Sequence, residues 1–300
     1  MSRPLPPNRV CGRRVGQVLV VPSGCRVCLV AVSIAVVVLG GCQWAGPLDQ
    51  MRKDFVALRY IKTASQAISE PVDANAAIHD ATRAVKLAPD NATVLDRAGR
   101  IYLYAGQYQQ ALAILQQARR HTDNPYLYEI GTCLLHTGQP GKGIEYLTRH
   151  LRNVELEYQA QAISPQEYAL HLNNVGYTYA EADLQLPYAL ELTRRAVSYD
   201  PLDPAFTDSL GWVYYKLNDL KNASFYLERA VRQSLYQPNA ELNYHLAMVY
   251  IRLGRRAEAA RELRRALHIR PGYLAARREL RQLRWELPRP WYVQSVAQVL

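Results

Sequence analysis

The sequence lacks the short motifs that mark the common enzyme sites. It contains no glycine-rich phosphate-binding loop, no HExxH zinc helix and no nucleophile elbow. None of its seven histidines shares metal-ligand spacing with another histidine, a cysteine or an acid on one helical turn in a way that exceeds chance. We therefore expect no catalytic residues, no metal site, no cofactor and no enzymatic activity. The function therefore has to be inferred from the cellular location of the chain and from the surface of its fold.

Acidic residues are absent from the first 41 positions, which contain five arginines and end in an apolar run over residues 27–40. This order of charge and hydrophobicity is typical of a bacterial export signal. The run closes on Leu39-Gly40-Gly41-Cys42, which resembles the lipobox of bacterial lipoproteins. The resemblance implies that cleavage falls before Cys42, that the Cys42 thiol is lipidated and that acyl chains such as palmitate then anchor the chain to a membrane. We expect residues 1–41 to be a signal peptide and residues 42–57 to be a lipidated spacer.

Two other interpretations of the apolar run are weaker. A transmembrane helix needs about 20 apolar residues, whereas residues 27–40 supply 14 and Arg26 interrupts the run on its N-terminal side. A core helix of a globular domain would need a polar face, and Val27 to Leu39 has almost none.

Cleavage would leave a chain with almost no cysteine. Three of the five cysteines precede Cys42, so Cys133 would be the one free thiol and no disulfide could form within the mature chain. Removing five arginines leaves 31 basic against 26 acidic residues, or +5 instead of +10. Phenylalanine is also scarce, with three against 21 tyrosines, and tyrosine suits half-buried surfaces where the hydroxyl stays in water.

A period of about 34 residues appears after residue 58. The best copies begin at residues 92, 204 and 240; they share a large residue at positions 11 and 24 and a small residue at positions 8 and 20, and the copy from 240 has proline at position 32. Small residues at positions 8 and 20 let two antiparallel helices approach closely, and the proline stops the second helix. This pattern strongly resembles the tetratricopeptide repeat. The resemblance implies an all-α, right-handed α-solenoid of about six helix pairs with a C-terminal capping helix.

The predicted organisation of the array includes one irregular segment. Residues 151–168 do not fit the period, and Ser164-Pro165-Gln166-Glu167 predicts a capped helix start there; a bend, an insertion or a boundary between two three-repeat halves would each explain it. The six units occupy residues 58–91, 92–123, 124–168 with the extension, 169–203, 204–239 and 240–273, followed by a capping helix over 274–287 and a tail over 288–300.

The tetratricopeptide resemblance also implies a binding surface, because in that family the first helix of each pair lines a concave groove. Its register places aromatic and amide side chains side by side, and such surfaces bind peptides. The predicted partner-groove residues are Tyr128 and Glu129, Asn173, Asn174 and Tyr177, Asp208, Trp212 and Tyr215, and Tyr244, His245 and Met248. The alternative is that some of these rings pack against each other.

The last repeat and cap are rich in arginine, with twelve between Arg252 and Arg289 against four glutamates. Anionic lipid or an acidic partner would fit this surface, while a solvated helix face is the simpler interpretation. We expect no nucleic-acid partner for an exported chain.

Lipobox and repeats together resemble the layout of pilotin-type and hydrolase-adaptor lipoproteins. They imply a lipid-anchored scaffold that binds protein partners at the bacterial cell envelope, on the periplasmic face of the outer membrane if Gln43 after the cysteine acts as it does in enteric bacteria. The alternative is an accessory or regulatory subunit of an enzyme complex acting on peptidoglycan or polysaccharide.

Overall fold

A computed structural model describes residues 45–69 and 73–286, and everything described is helical or turn. The predicted lipobox, Pro71 and the tail over 288–300 lie outside the described residues. The described residues fall into two compact units that divide between residues 52 and 53. The described part of the first unit is the N-terminal end of the first helix, and all packing below lies within the second.

Thirteen helices make up the described residues, and from residue 53 onward they follow one another as antiparallel pairs. They are α1 (Ala45–Ser69), α2 (Ala74–Leu87), α3 (Ala92–Tyr104), α4 (Tyr108–Ala118), α5 (Leu127–His136), α6 (Pro140–Gln159), α7 (Pro165–Glu181), α8 (Leu186–Tyr199), α9 (Pro204–Lys216), α10 (Leu220–Gln233), α11 (Ala240–Arg252), α12 (Arg256–Ile269) and α13 (Leu274–Glu286). This confirms the predicted all-α class. No described helix is long and apolar enough to span a membrane.

The small residues at position 8 are where the two helices of a pair meet. A methyl group added at Gly211 of α9 would lie 2.7 Å from Cγ of Leu227 in α10, and one added at Gly99 of α3 would lie 2.7 Å from Cγ of Leu115 in α4. Real side chains cannot approach that closely, so glycine is required for this packing. The predicted crossing residues are thereby confirmed.

Consecutive repeats are also joined by hydrogen bonds to the proline that ends each unit. The Gln117 side chain of α4 donates to the Pro89 carbonyl at 2.7 Å, and Arg229 of α10 donates to the Pro201 carbonyl at 2.6 Å. In both cases the donor lies 28 residues after the proline. The two prolines therefore stop one helix and present a free carbonyl to the next repeat.

The irregular segment lengthens both neighbouring helices. Helix α6 continues to Gln159 and is 20 residues long, against 11 for α4. Ser164 caps α7 with a full capping box in which its hydroxyl accepts from the Glu167 amide at 3.1 Å, while the Glu167 carboxylate accepts from the Ser164 amide. The predicted cap is confirmed. The described residues from 53 onward belong to one compact unit, and a boundary between two three-repeat halves stays a prediction.

The last described helix packs on the preceding repeat. Ala276 and Leu283 of α13 are buried in the same cluster as Leu263 and Ala266 of α12. Helix α13 starts at Leu274, where the capping helix is predicted to begin.

Candidate functional site

An open groove of about 810 Å³ lies along the array between α3 and the turn before α13. Its lining is mostly aromatic rings, imidazoles, amides and carboxylates. The lining residues are Arg100, Leu103, Tyr104, Tyr108, Asn124, Pro125, Leu127, Tyr128, Glu129, Thr132, His136, His150, Asn153, Val154, Glu157, His171, Asn174, Tyr177, Thr178, Glu181, Glu241, Arg270 and Tyr273.

Rings stack in the N-terminal part of the groove. Tyr108 lies on His136 with ring centroids 4.1 Å apart and planes nearly parallel. Tyr128 packs beside His150, and its hydroxyl hydrogen-bonds Thr178 across 3.1 Å. Such rings offer large contact area at low entropic cost, which suits recognition of a peptide.

Two imidazoles meet in the groove wall. Nε2 of His150 lies 3.2 Å from Nδ1 of His171. Burial, and then the neighbouring His171, lowers the pKa of His150 to about 4. Burial also lowers the pKa of His171, although the Glu157 and Glu129 carboxylates oppose that shift. Both rings are therefore neutral near pH 7, so one can donate to the other.

Carboxylates follow the groove toward its C-terminal end. Oε1 of Glu181 accepts a hydrogen bond from Nε1 of Trp212 at 2.6 Å, and Oε1 of Glu241 accepts from the Tyr177 hydroxyl at 2.9 Å. Glu129 instead forms an ion pair with Arg100. The glutamates of the described ion pairs are Glu129, Glu155, Glu228, Glu258, Glu262 and Glu279. Glu157, Glu181 and Glu241 are not among them.

A buried layer of polar and aromatic side chains lies beneath this C-terminal end. The Trp212 ring stacks on His245 at 4.1 Å and on Tyr215 at 4.6 Å, and it is only 6% exposed. Nδ1 of His245 lies 2.8 Å from Oδ2 of Asp208, and both side chains are buried. Burial lowers the pKa of His245, but the Asp208 charge and hydrogen bond outweigh it and raise that pKa overall. This layer supports the groove from below.

The predicted groove residues divide between these two environments. Tyr128, Glu129, Asn174 and Tyr177 line the open groove. Asn173, Asp208, Trp212 and His245 are buried, and Tyr215, Tyr244 and Met248 are partly buried. The interpretation that some rings pack against each other therefore fits Trp212 and His245. The role of all eleven in partner binding stays a prediction.

Several lining residues were not predicted, and some of these come from second helices. His150, Asn153, Val154 and Glu157 all lie on α6. Val154 and Glu157 lie beyond the 14 residues that second helices such as α8 and α10 have, in the part of α6 that makes it longer. The misfit of residues 151–168 with the period was the one sequence signal that pointed to them.

Cys133 is the one free cysteine of the described residues. No group of three or more His, Cys, Asp or Glu in the described parts of the chain is placed to hold a metal ion. Cys133 is fully buried, and burial raises the pKa of its thiol to about 12. It is a packing residue, as its position in the repeat predicts.

The arginine-rich face is partly neutralised. Arg265 pairs with the buried Glu262 at 2.8 Å, as the three-residue spacing predicts, and Arg278 pairs with Glu279 at 3.1 Å. Glu258 pairs with Arg255, three residues before it.

The comparisons with known proteins agree with the repeat pattern. Residues 97–157 and 209–273 match the family model of the tetratricopeptide repeat, which confirms repeats of this type in both stretches. Over 78 residues the chain is 37% identical to the TPR repeat-containing protein PA4667 of Pseudomonas aeruginosa. That match covers 26% of this chain and 13% of the relative, so the chain spans about an eighth of the relative's length.

Three solved structures similar to this chain are each below 25% identity. The type IV pilus biogenesis factor PilW is 17% identical with a TM-score of 0.49, over 77% of this chain and 98% of that one. PilF of Pseudomonas aeruginosa is 15% identical with a TM-score of 0.42, over 77% and 99%. The first TPR domain of Spaghetti (RPAP3) bound to an HSP90 peptide is 20% identical with a TM-score of 0.36, over 39% and 91%.

Proposed function

We propose that this chain is a lipid-anchored adaptor that binds a segment of a partner protein in its groove and positions that partner at the bacterial cell envelope. Tetratricopeptide repeats serve protein–protein interaction, and the chain offers an open groove for it. The observation that carries the proposal is the groove itself, whose stacked rings and asparagine side chains can provide contact area and hydrogen bonds along several helices. The lipid anchor rests on Leu39-Gly40-Gly41-Cys42 alone.

The groove is tested by blocking it. Asn174 is half-buried and faces the groove, so Asn174→Trp would fill part of it without entering the core. Leu235→Trp is a matched control, because Leu235 is 70% exposed and lies outside the groove. After reversible crosslinking in cells, we expect Asn174→Trp to lose a co-purified protein that the wild type and Leu235→Trp retain. Equal recovery from all three would overturn the proposal.

The anchor is tested by Cys42→Ala. Without the thiol, neither lipidation nor cleavage of the lipoprotein type can occur, so the variant should incorporate no labelled fatty acid and should accumulate as a longer precursor. Labelling of the variant at the wild-type level would refute the anchor and would leave the groove proposal standing. Fractionation of the wild type then tests the preference for the outer membrane that Gln43 predicts.

The same co-purification separates the two functional alternatives. A secretin, pilus or other envelope-assembly component supports the scaffold function. A peptidoglycan- or polysaccharide-acting enzyme would instead make the chain an accessory subunit. For either partner, the arginine-rich face of α12 and α13 provides a second surface that can contact anionic lipid or an acidic protein.

A further inference from the structure

The groove has the opposite charge sign to the chain as a whole. Four carboxylates line it, those of Glu129, Glu157, Glu181 and Glu241, against the two guanidinium groups of Arg100 and Arg270. The chain nevertheless has a formal net charge of +10. Glu129 is already paired with Arg100, so the three other carboxylates account for the negative potential of the groove.

Glu181 is the most central of these groups. Its carboxylate is close enough to Tyr108 and His136 on one side, and to Tyr244 and Tyr273 on the other, to perturb the proton equilibria of all four rings. The hydrogen bond from Trp212 uses Oε1, and the residue remains exposed to the groove. A charged ligand group lying at Glu181 would therefore be within electrostatic range of rings contributed by several repeats.

Glu241 extends this arrangement across the groove. Its Oε1 accepts from the Tyr177 hydroxyl, and its charge acts on the same Tyr177, Asp208 and His245 that Glu181 affects. Two carboxylates that share neighbours in this way repel each other, and a cation between them would relieve the repulsion. Tyrosine faces next to them add a favourable cation–π contribution.

We propose that the groove recognises a basic segment of its partner, with a lysine or arginine side chain held by Glu181 and Glu241 against the surrounding tyrosines. The inference rests on the proposed function, since it names the chemistry of the segment that the groove takes. Charge complementarity also argues for a peptide and against anionic lipid or an acidic peptide as the occupant. Glu157 and the half-buried Asn174 would contact the same segment further toward the N-terminal repeats.

The test selects peptides without assuming the partner. The full chain in detergent micelles is used to select from a phage-displayed library of random dodecapeptides, and the affinities of enriched peptides are then measured for variants. The double variant Glu181→Gln with Glu241→Gln is suitable, because glutamine can still accept from Trp212 and Tyr177 and so preserves the buried layer. Glu145→Gln is the matched control, since Glu145 is exposed on α6 and does not line the groove.

We expect enriched peptides rich in lysine or arginine, with about tenfold or greater loss of affinity for the double variant. The control should stay within about twofold, and affinity should fall as salt rises. Thermal melts of both variants establish that loss of binding does not come from unfolding.

Two outcomes would overturn the inference. Neutral or acidic peptides that compete for the groove, are blocked by Asn174→Trp and are indifferent to the double variant would refute the basic specificity while leaving the proposed function intact. No enrichment above the Asn174→Trp background would refute both.

Discussion

Replacing Trp212 by alanine should destabilise the array strongly. The ring is 6% exposed, stacked between His245 and Tyr215, and hydrogen-bonded to Glu181. Removing a buried tryptophan from such packing costs about 3–5 kcal/mol. For a domain of this size that corresponds to a fall in Tm of about 6–20 °C.

Two further variants separate the packing of Trp212 from a direct role in binding. Trp212→Phe keeps an aromatic ring and loses the indole N–H, so it should cost about 1–2 kcal/mol. Asn174→Ala alters the groove and not the core, so it should change stability by under about 0.5 kcal/mol and weaken partner binding by about 1 kcal/mol.

Thermal melts and calorimetric titration with the captured partner measure both effects. A Trp212→Ala protein that melts normally and loses most of its affinity would refute the buried placement of the ring. It would favour the earlier interpretation of Trp212 as a binding anchor, for which a loss of about 2 kcal/mol or more is typical.

The remaining predictions concern packing, charge and pH. Gly211→Leu should lower the free energy of unfolding by about 1–3 kcal/mol or more, because even its Cβ would lie 2.7 Å from Leu227. Arg278→Ala should change it by no more than about 0.5 kcal/mol. Urea titrations in which the arginine variant is the less stable protein would contradict the packing register. The pKa of His150 falls from 6.5 in the unfolded chain to about 4 in the fold. The stability that the neutral His150 contributes is therefore fully present above pH 6.5. As the pH falls from 6.5 toward 4, the free energy of unfolding decreases by up to about 1.4 kcal/mol per pH unit. His150→Gln should flatten that part of the pH profile, and an unchanged slope would show that His150 is not the group responsible.

The repeat register could be predicted from the sequence because its cause is local. Gly99 and Gly211 each meet a leucine 16 residues later, and this spacing is set by two helices and one short turn. The Ser164 cap was equally predictable, since a capping box depends on four consecutive residues.

The lining of the groove was less predictable because it depends on distances between repeats. Trp212 and His245 occupy groove positions in the repeat register, yet they stack on each other and are buried. The sequence of one repeat does not determine how closely the next repeat packs against it. The extra turns of α6 are a second cause, since they carry Val154 and Glu157 to the lining of the groove.

Site-specific photocrosslinking in living cells tests the central claim most directly. A photoreactive amino acid placed at Tyr104 or Asn153, which line the groove and are exposed, should form an adduct with one partner protein. The same group at Phe225 or Tyr236, which are 57% and 98% exposed and lie outside the groove, should not form it. Adducts with that partner from the outer positions and none from the groove would contradict the account.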